Sequence, residues 1–168
     1  NWCQLPGATT LDLPPEKFKP RPNRPFTSEG FLGGASLDPR CGVSAMTYAD
    51  PLSDLKADKS VFFFDDYIVA VGSGITCAKD PHSVQTTISQ LDTAGGTRAS
   101  RFNDQVLSGK VIAPTTAGSA PATYLDPLGH AYYFPGKQTV VVERRDQEEF
   151  LANGKTKATG NFETCRIL

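Results

Sequence analysis

The stretch Lys59–Gly74, KSVFFFDDYIVAVGSG, contains the clearest structural element of the sequence. Its apolar run Val61–Phe64 leads into Asp65-Asp66, and a second apolar run, Tyr67–Val71, follows directly. Two apolar runs joined by two polar residues predict an antiparallel β-hairpin. Because both runs are apolar almost without interruption, we expect strands that are buried on both faces, as in the middle of stacked sheets.

Further short strands are predicted on both sides of this hairpin, where β-branched and aromatic residues lie between turn residues. They fall at Val43–Tyr48, Val84–Ile88, Gly129–Phe134, Thr139–Arg144 and Asn161–Leu168, and in Gln105–Ile112 a turn at Gly109 is predicted within or beside a hairpin. Only Asp146–Leu151 is predicted as a helical turn. Strands that do not alternate with helices predict an all-β fold, an antiparallel β-sandwich.

The composition agrees with such a domain and excludes several classes of protein. Gly (15 residues) and Pro (13 residues) make up about 17% of the 168 residues, against about 12% in an average protein, which disfavours a helical bundle. The net charge of −1 argues against a basic nucleic-acid binder, so no nucleic acid is expected as a partner. The apolar runs are far shorter than the ~20 residues of a membrane-spanning helix, so no membrane span is expected.

The first thirty residues differ from the rest of the chain. Residues 1–30 hold six of the thirteen prolines and are predicted to form an extended, irregular segment that precedes a β-sandwich domain at residues 31–168. The chain starts at Asn1, so we expect a processed chain or a portion of a longer one. A small basic cluster in the segment is either a solvated loop or a contact for an anionic chain; its members are Lys17, Lys19, Arg21 and Arg24.

The cysteines and histidines give no familiar active site. Four cysteines without CxxC spacing disfavour a zinc site, and two disulfides in an oxidising compartment or four buried thiols remain, with disulfides preferred; they are Cys3, Cys41, Cys77 and Cys165. His82 and His130 are interpreted as surface or packed residues. Nucleophile-elbow, zinc-helix and phosphate-loop motifs are absent from the sequence.

Five segments in the same order resemble the family of polysaccharide lyases that act on chondroitin and hyaluronan. The resemblance is greatest to the central β-sandwich of the broad-specificity chondroitin ABC-type enzymes. The segments are LPGATT (5–10), FLGGASL (31–37), the hairpin KSVFFFDD with IVAVGSGI (59–66 and 68–75), VQTTISQ (84–90) and GNF (160–162).

The resemblance implies a large antiparallel β-sandwich, called a super-sandwich, or part of one. In this family the sandwich follows an α/α toroid, which supplies a Tyr, a His, an Arg and an Asn for β-elimination at a uronic acid. Those toroid motifs are not in this sequence. The implied partners are therefore an acidic polysaccharide and a toroid domain of the same or an associated chain. No cofactor is implied, and the location is extracellular, or periplasmic in a bacterium.

The resemblance also singles out Asp38. In the ABC-type enzymes a Glu follows the Ser-Leu pair of the GG-S-SL segment, and Asp38 stands at that position here, followed by Pro39 in place of the usual Gly. Asp is shorter than Glu by about 1.5 Å, and a misplacement of about 1 Å can lower a rate about a hundredfold. Asp38 is thus a candidate accessory acidic residue of the catalytic site, and Arg40 joins the basic cluster as a candidate substrate-binding residue. The alternative is that Asp38-Pro39 simply forms a turn.

Two functions follow from this resemblance. The first is the sandwich portion of a glycosaminoglycan lyase, forming one wall of the cleft while a toroid carries the base and the acid. The second is a lyase-derived extracellular module without catalysis, which binds acidic glycans or serves a structural role. In either case the chain alone is expected to be inactive.

Overall fold

The computed structural model describes residues 5–13, 30–50, 53–78, 82–93, 99–109, 112–118, 120–150 and 157–168. These residues form thirteen β-strands and no helix, which confirms the all-β prediction. The strands are β1 (Thr9–Leu11), β2 (Leu32–Asp38), β3 (Cys41–Ala49), β4 (Lys56–Phe64), β5 (Tyr67–Thr76), β6 (Val84–Asp92), β7 (Ser100–Phe102), β8 (Gln105–Leu107), β9 (Ile112–Ala117), β10 (Ala122–Leu125), β11 (Ala131–Phe134), β12 (Val140–Phe150) and β13 (Lys157–Ile167).

The chain divides into two compact units. The larger unit contains the described parts of Asn1–Pro20 and Gln85–Leu168, and the smaller unit contains those of Arg21–Val84. All strand pairs for which a register is defined are antiparallel, as expected for strands that follow one another through short turns. This division into two units does not test the domain boundary that the sequence predicts at residue 30, which stays a prediction.

The smaller unit is one four-stranded sheet in the order β2-β3-β4-β5. The predicted hairpin is its second half, with Phe64 opposite Tyr67 and Phe62 opposite Val69. Asp65 adopts a positive φ of 45° at the turn, a backbone conformation that Asp tolerates better than most residues. The hairpin prediction is confirmed.

The prediction that both hairpin strands are buried on both faces is wrong for this chain. All ten residues of β5 are exposed, including Tyr67 at 75% and Ile68 at 68%. The apolar pattern does not reveal whether another layer covers the sheet, and no layer of described residues covers β5.

The larger unit is a β-sandwich of two sheets. A five-stranded sheet has the order β1-β6-β13-β12-β9, and a four-stranded sheet has the order β11-β10-β7-β8. Side chains from both sheets form a single core, which accounts for the stability of the unit because it removes apolar surface from water. The core residues are Phe102, Leu107, Ala122, Tyr124, Phe134, Val140, Val142 and Cys165.

The predicted helical turn at Asp146–Leu151 is wrong. Residues up to Phe150 belong to β12, which pairs with β13 from Val140 opposite Ile167 to Phe150 opposite Lys157. Leu151 lies outside the described residues. The charged residues of this stretch favour a helix only weakly, and an eleven-residue ladder with the neighbouring strand outweighs that local preference.

The preferred interpretation of two disulfides is also wrong. Cys41, Cys77 and Cys165 form no disulfide, whereas two bonds among four cysteines would have to join at least two of these three. Cys3 lies outside the described residues. Cys165 is completely buried in the core, and the thiol of Cys77 lies 3.1 Å from Oδ1 of Asp54, to which it donates.

The described residues contain no helix able to span a membrane.

Candidate functional site

Asp38 lies in the turn that connects β2 to β3. Its carboxylate Oδ1 accepts hydrogen bonds from the backbone N–H groups of Arg40 at 2.7 Å and Cys41 at 2.8 Å. This arrangement is an Asx turn, in which a side-chain oxygen replaces a backbone acceptor. One oxygen of the candidate catalytic carboxylate is therefore occupied in shaping the turn.

Arg40 connects this turn to the β4–β5 turn. Its Nε lies 3.1 Å from Oδ1 of Asp65, and its carbonyl oxygen accepts a hydrogen bond from the Asp65 N–H at 3.1 Å. The side chains of Arg40 and Asp65 are 76% and 54% exposed. An exposed pair of this kind adds little stability. We call Asp38, Arg40, Cys41 and Asp65 the turn cluster.

The chemistry available to the turn cluster is electrostatic. Burial raises the pKa of the Cys41 thiol, and the nearby carboxylates of Asp38 and Asp65 raise it further, so Cys41 is not an activated nucleophile. The guanidinium of Arg40 has donors beyond the Nε that faces Asp65, and such donors suit a carboxylate or sulfate group. Within the ranges that the structure describes, no three His, Cys, Asp or Glu side chains converge as metal ligands.

The other candidate substrate-binding residues cannot be placed beside this cluster. The basic residues of the N-terminal segment fall outside the described residues: Lys17, Lys19, Arg21 and Arg24. The structure therefore brings together only Asp38 and Arg40 of the predicted set.

A shallow cavity of about 310 Å³ lies at the opposite end of the four-stranded sheet. Phe31 and Tyr48 give it aromatic walls, and Lys56 and Asp58 give it one charge of each sign. The turn cluster lies at the end of the sheet where Cys41 of β3 pairs with Phe64 of β4. The cavity lies at the end where Tyr48 pairs with Ala57. A ligand in this cavity would thus lie far from Asp38.

Sequence reasoning missed a buried ionic cluster in the larger unit. Glu163 is fully buried; its Oε1 accepts a 2.6 Å hydrogen bond from the Tyr124 hydroxyl, and its Oε2 accepts one of 2.9 Å from Arg144 Nε. Nη1 of Arg144 donates to the Gly109 carbonyl at 2.6 Å. Burial raises the pKa of Tyr124, and the hydrogen bond to Glu163 raises it further. Because this cluster has no access to solvent, it fixes how the strands of the core come together.

A second missed cluster surrounds Asp126 in the turn between β10 and β11. Its Oδ1 accepts from the backbone N–H groups of Leu128 and His130, and its Oδ2 lies 2.9 Å from Nδ1 of the His130 ring. Burial alone would raise the pKa of Asp126, but these hydrogen bonds and the His130 ring lower it overall. Burial and Asp126 raise the pKa of Tyr132 to about 12. The Asp-Pro pair at 126–127 was the available sequence signal for this turn.

Comparison with known proteins extends these observations. Residues 1–161 match the family described as polysaccharide lyase family 8, super-sandwich domain. The chain is 25% identical to the chondroitin sulfate ABC exolyase of Proteus vulgaris over 97% of this chain and 19% of that enzyme. It is 36% identical to chondroitinase-AC of Pedobacter heparinus over 57% of this chain and 14% of that enzyme.

A solved structure shows the same fold. The xanthan lyase of Paenibacillus superposes with a TM-score of 0.75 and 27% identity, covering 97% of this chain and 16% of that enzyme. The chain thus spans less than a fifth of the length of each of these three relatives.

Proposed function

Because this chain belongs to polysaccharide lyase family 8, we propose that it is the β-sandwich portion of a lyase that cleaves a glycosaminoglycan of the chondroitin or hyaluronan type. The observation that carries the proposal is the match of residues 1–161 to the super-sandwich domain of that family. Relatives named chondroitin sulfate ABC exolyase and chondroitinase-AC support this substrate class. A secreted location, extracellular or periplasmic, follows from a polymeric substrate outside the cell.

The proposed reaction is β-elimination at the uronic acid. A base removes the C5 proton, electropositive groups stabilise the charge that develops on the uronate carboxylate, and an acid protonates the leaving glycosidic oxygen. In our proposal an α/α toroid of the same or an associated chain supplies the base and the acid. The present chain forms one wall of the cleft.

Asp38 and Arg40 have separate roles in this proposal. Asp38 is a positioning residue: Oδ1 is fixed by two backbone N–H groups, and the exposed carboxylate can orient a cationic side chain of the toroid. Arg40 binds the anionic polysaccharide with the donors that Asp65 leaves unused. The basic residues of the N-terminal segment extend the attraction along the polymer: Lys17, Lys19, Arg21 and Arg24.

The test compares three substitutions in the full-length protein. Asp38→Asn keeps an oxygen acceptor for the turn but removes the charge, so we expect an unchanged melting temperature and a loss of about 10- to 100-fold in kcat/KM. Asp38→Glu keeps the charge and adds about 1.5 Å of reach, so it should lose less activity than Asp38→Asn. Asp66→Asn, an exposed carboxylate in the neighbouring turn, is the control and should leave activity unchanged.

A result in which Asp38→Asn and Asp66→Asn are equally active would contradict the positioning role. The pH profile of kcat/KM adds a second readout, because loss of an orienting carboxylate should shift the apparent pKa of the residue it orients. A purely structural Asp38 would leave that profile in place.

The second candidate is a non-catalytic module that binds acidic glycans or serves a structural role. The Asx turn favours it, because the carboxylate that stands at the catalytic position already serves the backbone. This candidate predicts retention on a chondroitin sulfate column that weakens with salt. Joint replacement of Lys17, Lys19, Arg21 and Arg24 by Ala should abolish the retention, and retention unaffected by this change would count against it.

A further inference from the structure

Strand β5 is a sheet edge that is interrupted only near its end, where Gly74 has a φ of 58° and the register with β4 shifts. It pairs with β4 along one side, and no described strand pairs with its other side. Its sequence, YIVAVGSGIT, contains no charged residue and no proline, and every one of its ten residues is exposed. Unpaired backbone N–H and C=O groups along such a strand are a template for a further strand.

The other sheet edges of the described chain have the protection that β5 lacks. Strands β1 and β8 have three residues each and β11 has four, too short to template a long partner. Strand β9 contains Pro114, which removes a backbone donor. Strand β2 ends in the charged residue Asp38. Length, apolar composition and full exposure therefore coincide at β5.

Both faces of the sheet beside this edge are apolar as well. Tyr67 and Val69 share a face with Phe64 and Phe62, their cross-strand partners, while Ile68 shares the other face with Phe63. Phe63 is 41% exposed, Phe64 48% and Val69 45%. A contiguous exposed apolar surface of this kind marks an interaction site.

We propose that β5 pairs with a strand from the remainder of a longer polypeptide that contains this chain, an inference that rests on the proposed function. The matched segment covers 19% of the Proteus vulgaris enzyme and 16% of the Paenibacillus enzyme, so more than four-fifths of each lies outside it. Because β5 is neutral and apolar, we expect its partner to be an apolar strand. The edge offers no charged side chain to a charged ligand.

Hydrogen exchange of the β5 amides tests this directly. In the 168-residue chain the amides on the open side of β5 should exchange rapidly. In the full-length protein the exchange rates of the same amides should be lower by about a hundredfold or more. Equal, rapid exchange in both proteins overturns the proposal, as does a native protein whose intact mass is only the 18.1 kDa of this chain.

Substitutions provide an independent measurement. Val69→Lys with Val71→Lys should lower the melting temperature of the full-length protein but leave that of the 168-residue chain nearly unchanged, because both side chains are exposed there. Val106→Lys, on the exposed side of β8 at 53%, is the matched control and should have the same small effect in both proteins. Equal effects of the β5 changes in the two proteins would contradict the proposal.

Two further outcomes are informative. One identifies a second copy of the chain as the partner of β5, and the other distinguishes failure of the proposed function from failure of the β5 pairing. Protection of β5 in the 168-residue chain that rises with concentration would assign the edge to a second copy and overturn the proposal. Slow exchange in a full-length protein without lyase activity would refute the proposed function and still support the pairing of β5, since exchange does not depend on catalysis.

Discussion

Glu163 places a carboxylate inside an apolar core, where both of its oxygens receive hydrogen bonds. Arg144 and Tyr124 supply these bonds, and the three side chains are almost completely buried. A buried ion pair gains little over apolar packing, but removing one partner leaves the other charge without compensation. The cluster therefore specifies how β10, β12 and β13 come together.

We predict that Glu163→Gln lowers the free energy of unfolding by about 3–5 kcal/mol, because Arg144 would stay buried without a counter-charge. Urea denaturation of the purified chain measures this value. Asp66→Asn removes an exposed carboxylate and should change stability by no more than about 0.5 kcal/mol. Similar small effects of both changes would show that the core tolerates an unpaired Arg144.

Stability should also fall at alkaline pH. The pKa of Tyr132 is raised to about 12 and that of Tyr124 is also raised, whereas a tyrosine in the unfolded chain ionises near pH 10. Above about pH 10 the unfolded state loses phenol protons that the native state retains, so the free energy of unfolding decreases as pH rises through the folded pKa. Denaturant titrations from pH 9 to 12 test this. Tyr132→Phe should flatten the decline, and an unchanged slope in that variant would contradict the assignment.

At the acid end the sign is reversed. The pKa of Asp126 is lowered in the folded chain, so its contribution to stability is present above the ordinary aspartate pKa of about 4 and is lost as pH falls below it. Asp126→Asn should remove part of the acid sensitivity between about pH 5 and pH 2. A variant that unfolds over the same acid range as the parent would argue against this role.

Single residues differ in how far the sequence reveals them. Asp38 and Arg40 stand next to a recognisable segment, and the structure indeed places them in one turn cluster. The Arg144–Glu163 pair is separated by nineteen residues and meets only through the register of β12 and β13. No local pattern encodes that register, so the pair could not be predicted.

Among the secondary-structure elements, the β2–β3 hairpin shows why Gly34 is needed. A Cβ on Gly34 would lie 2.7 Å from the carbonyl oxygen of Val43 in the neighbouring strand. That oxygen belongs to the backbone and cannot move without disturbing the ladder. The glycine is thus required by close approach of the two strands.

We predict that Gly34→Ala destabilises the smaller unit by about 1–3 kcal/mol. Gly118→Ala is the control, because a Cβ there meets nothing within 4 Å. Thermal melting followed by circular dichroism gives both values. Equal stability of the two variants would show that β2 shifts to accept the methyl group.

Elements with strong local patterns were predicted well, and the exceptions have physical causes. The β4–β5 hairpin and strands β6 and β13 follow from runs of apolar or β-branched residues. The stretch at the end of β12 is rich in Asp, Gln and Glu, and only its long pairing with β13 makes it a strand. Exposure of β5 depends on which other residues pack against the sheet, and hydrophobic periodicity does not record that.

For the whole molecule, the family to which the chain belongs and the share of its relatives' length that it spans are consistent with each other. Polysaccharide lyase family 8 provides the fold, and the chain spans less than a fifth of the relatives compared above. The turn cluster holds one carboxylate and one arginine among the predicted site residues, too few for proton abstraction and leaving-group protonation together. The proposed β-elimination thus requires groups from another domain.

The most direct test is an assay of the full-length protein on chondroitin sulfate and hyaluronan, with the 168-residue chain measured in parallel. β-Elimination leaves a carbon–carbon double bond in the uronic acid, and the ultraviolet absorbance of that product reports the reaction. Our account predicts unsaturated product from the full-length protein and none from the 168-residue chain alone. A full-length protein that forms no unsaturated product from any uronate polysaccharide would contradict it.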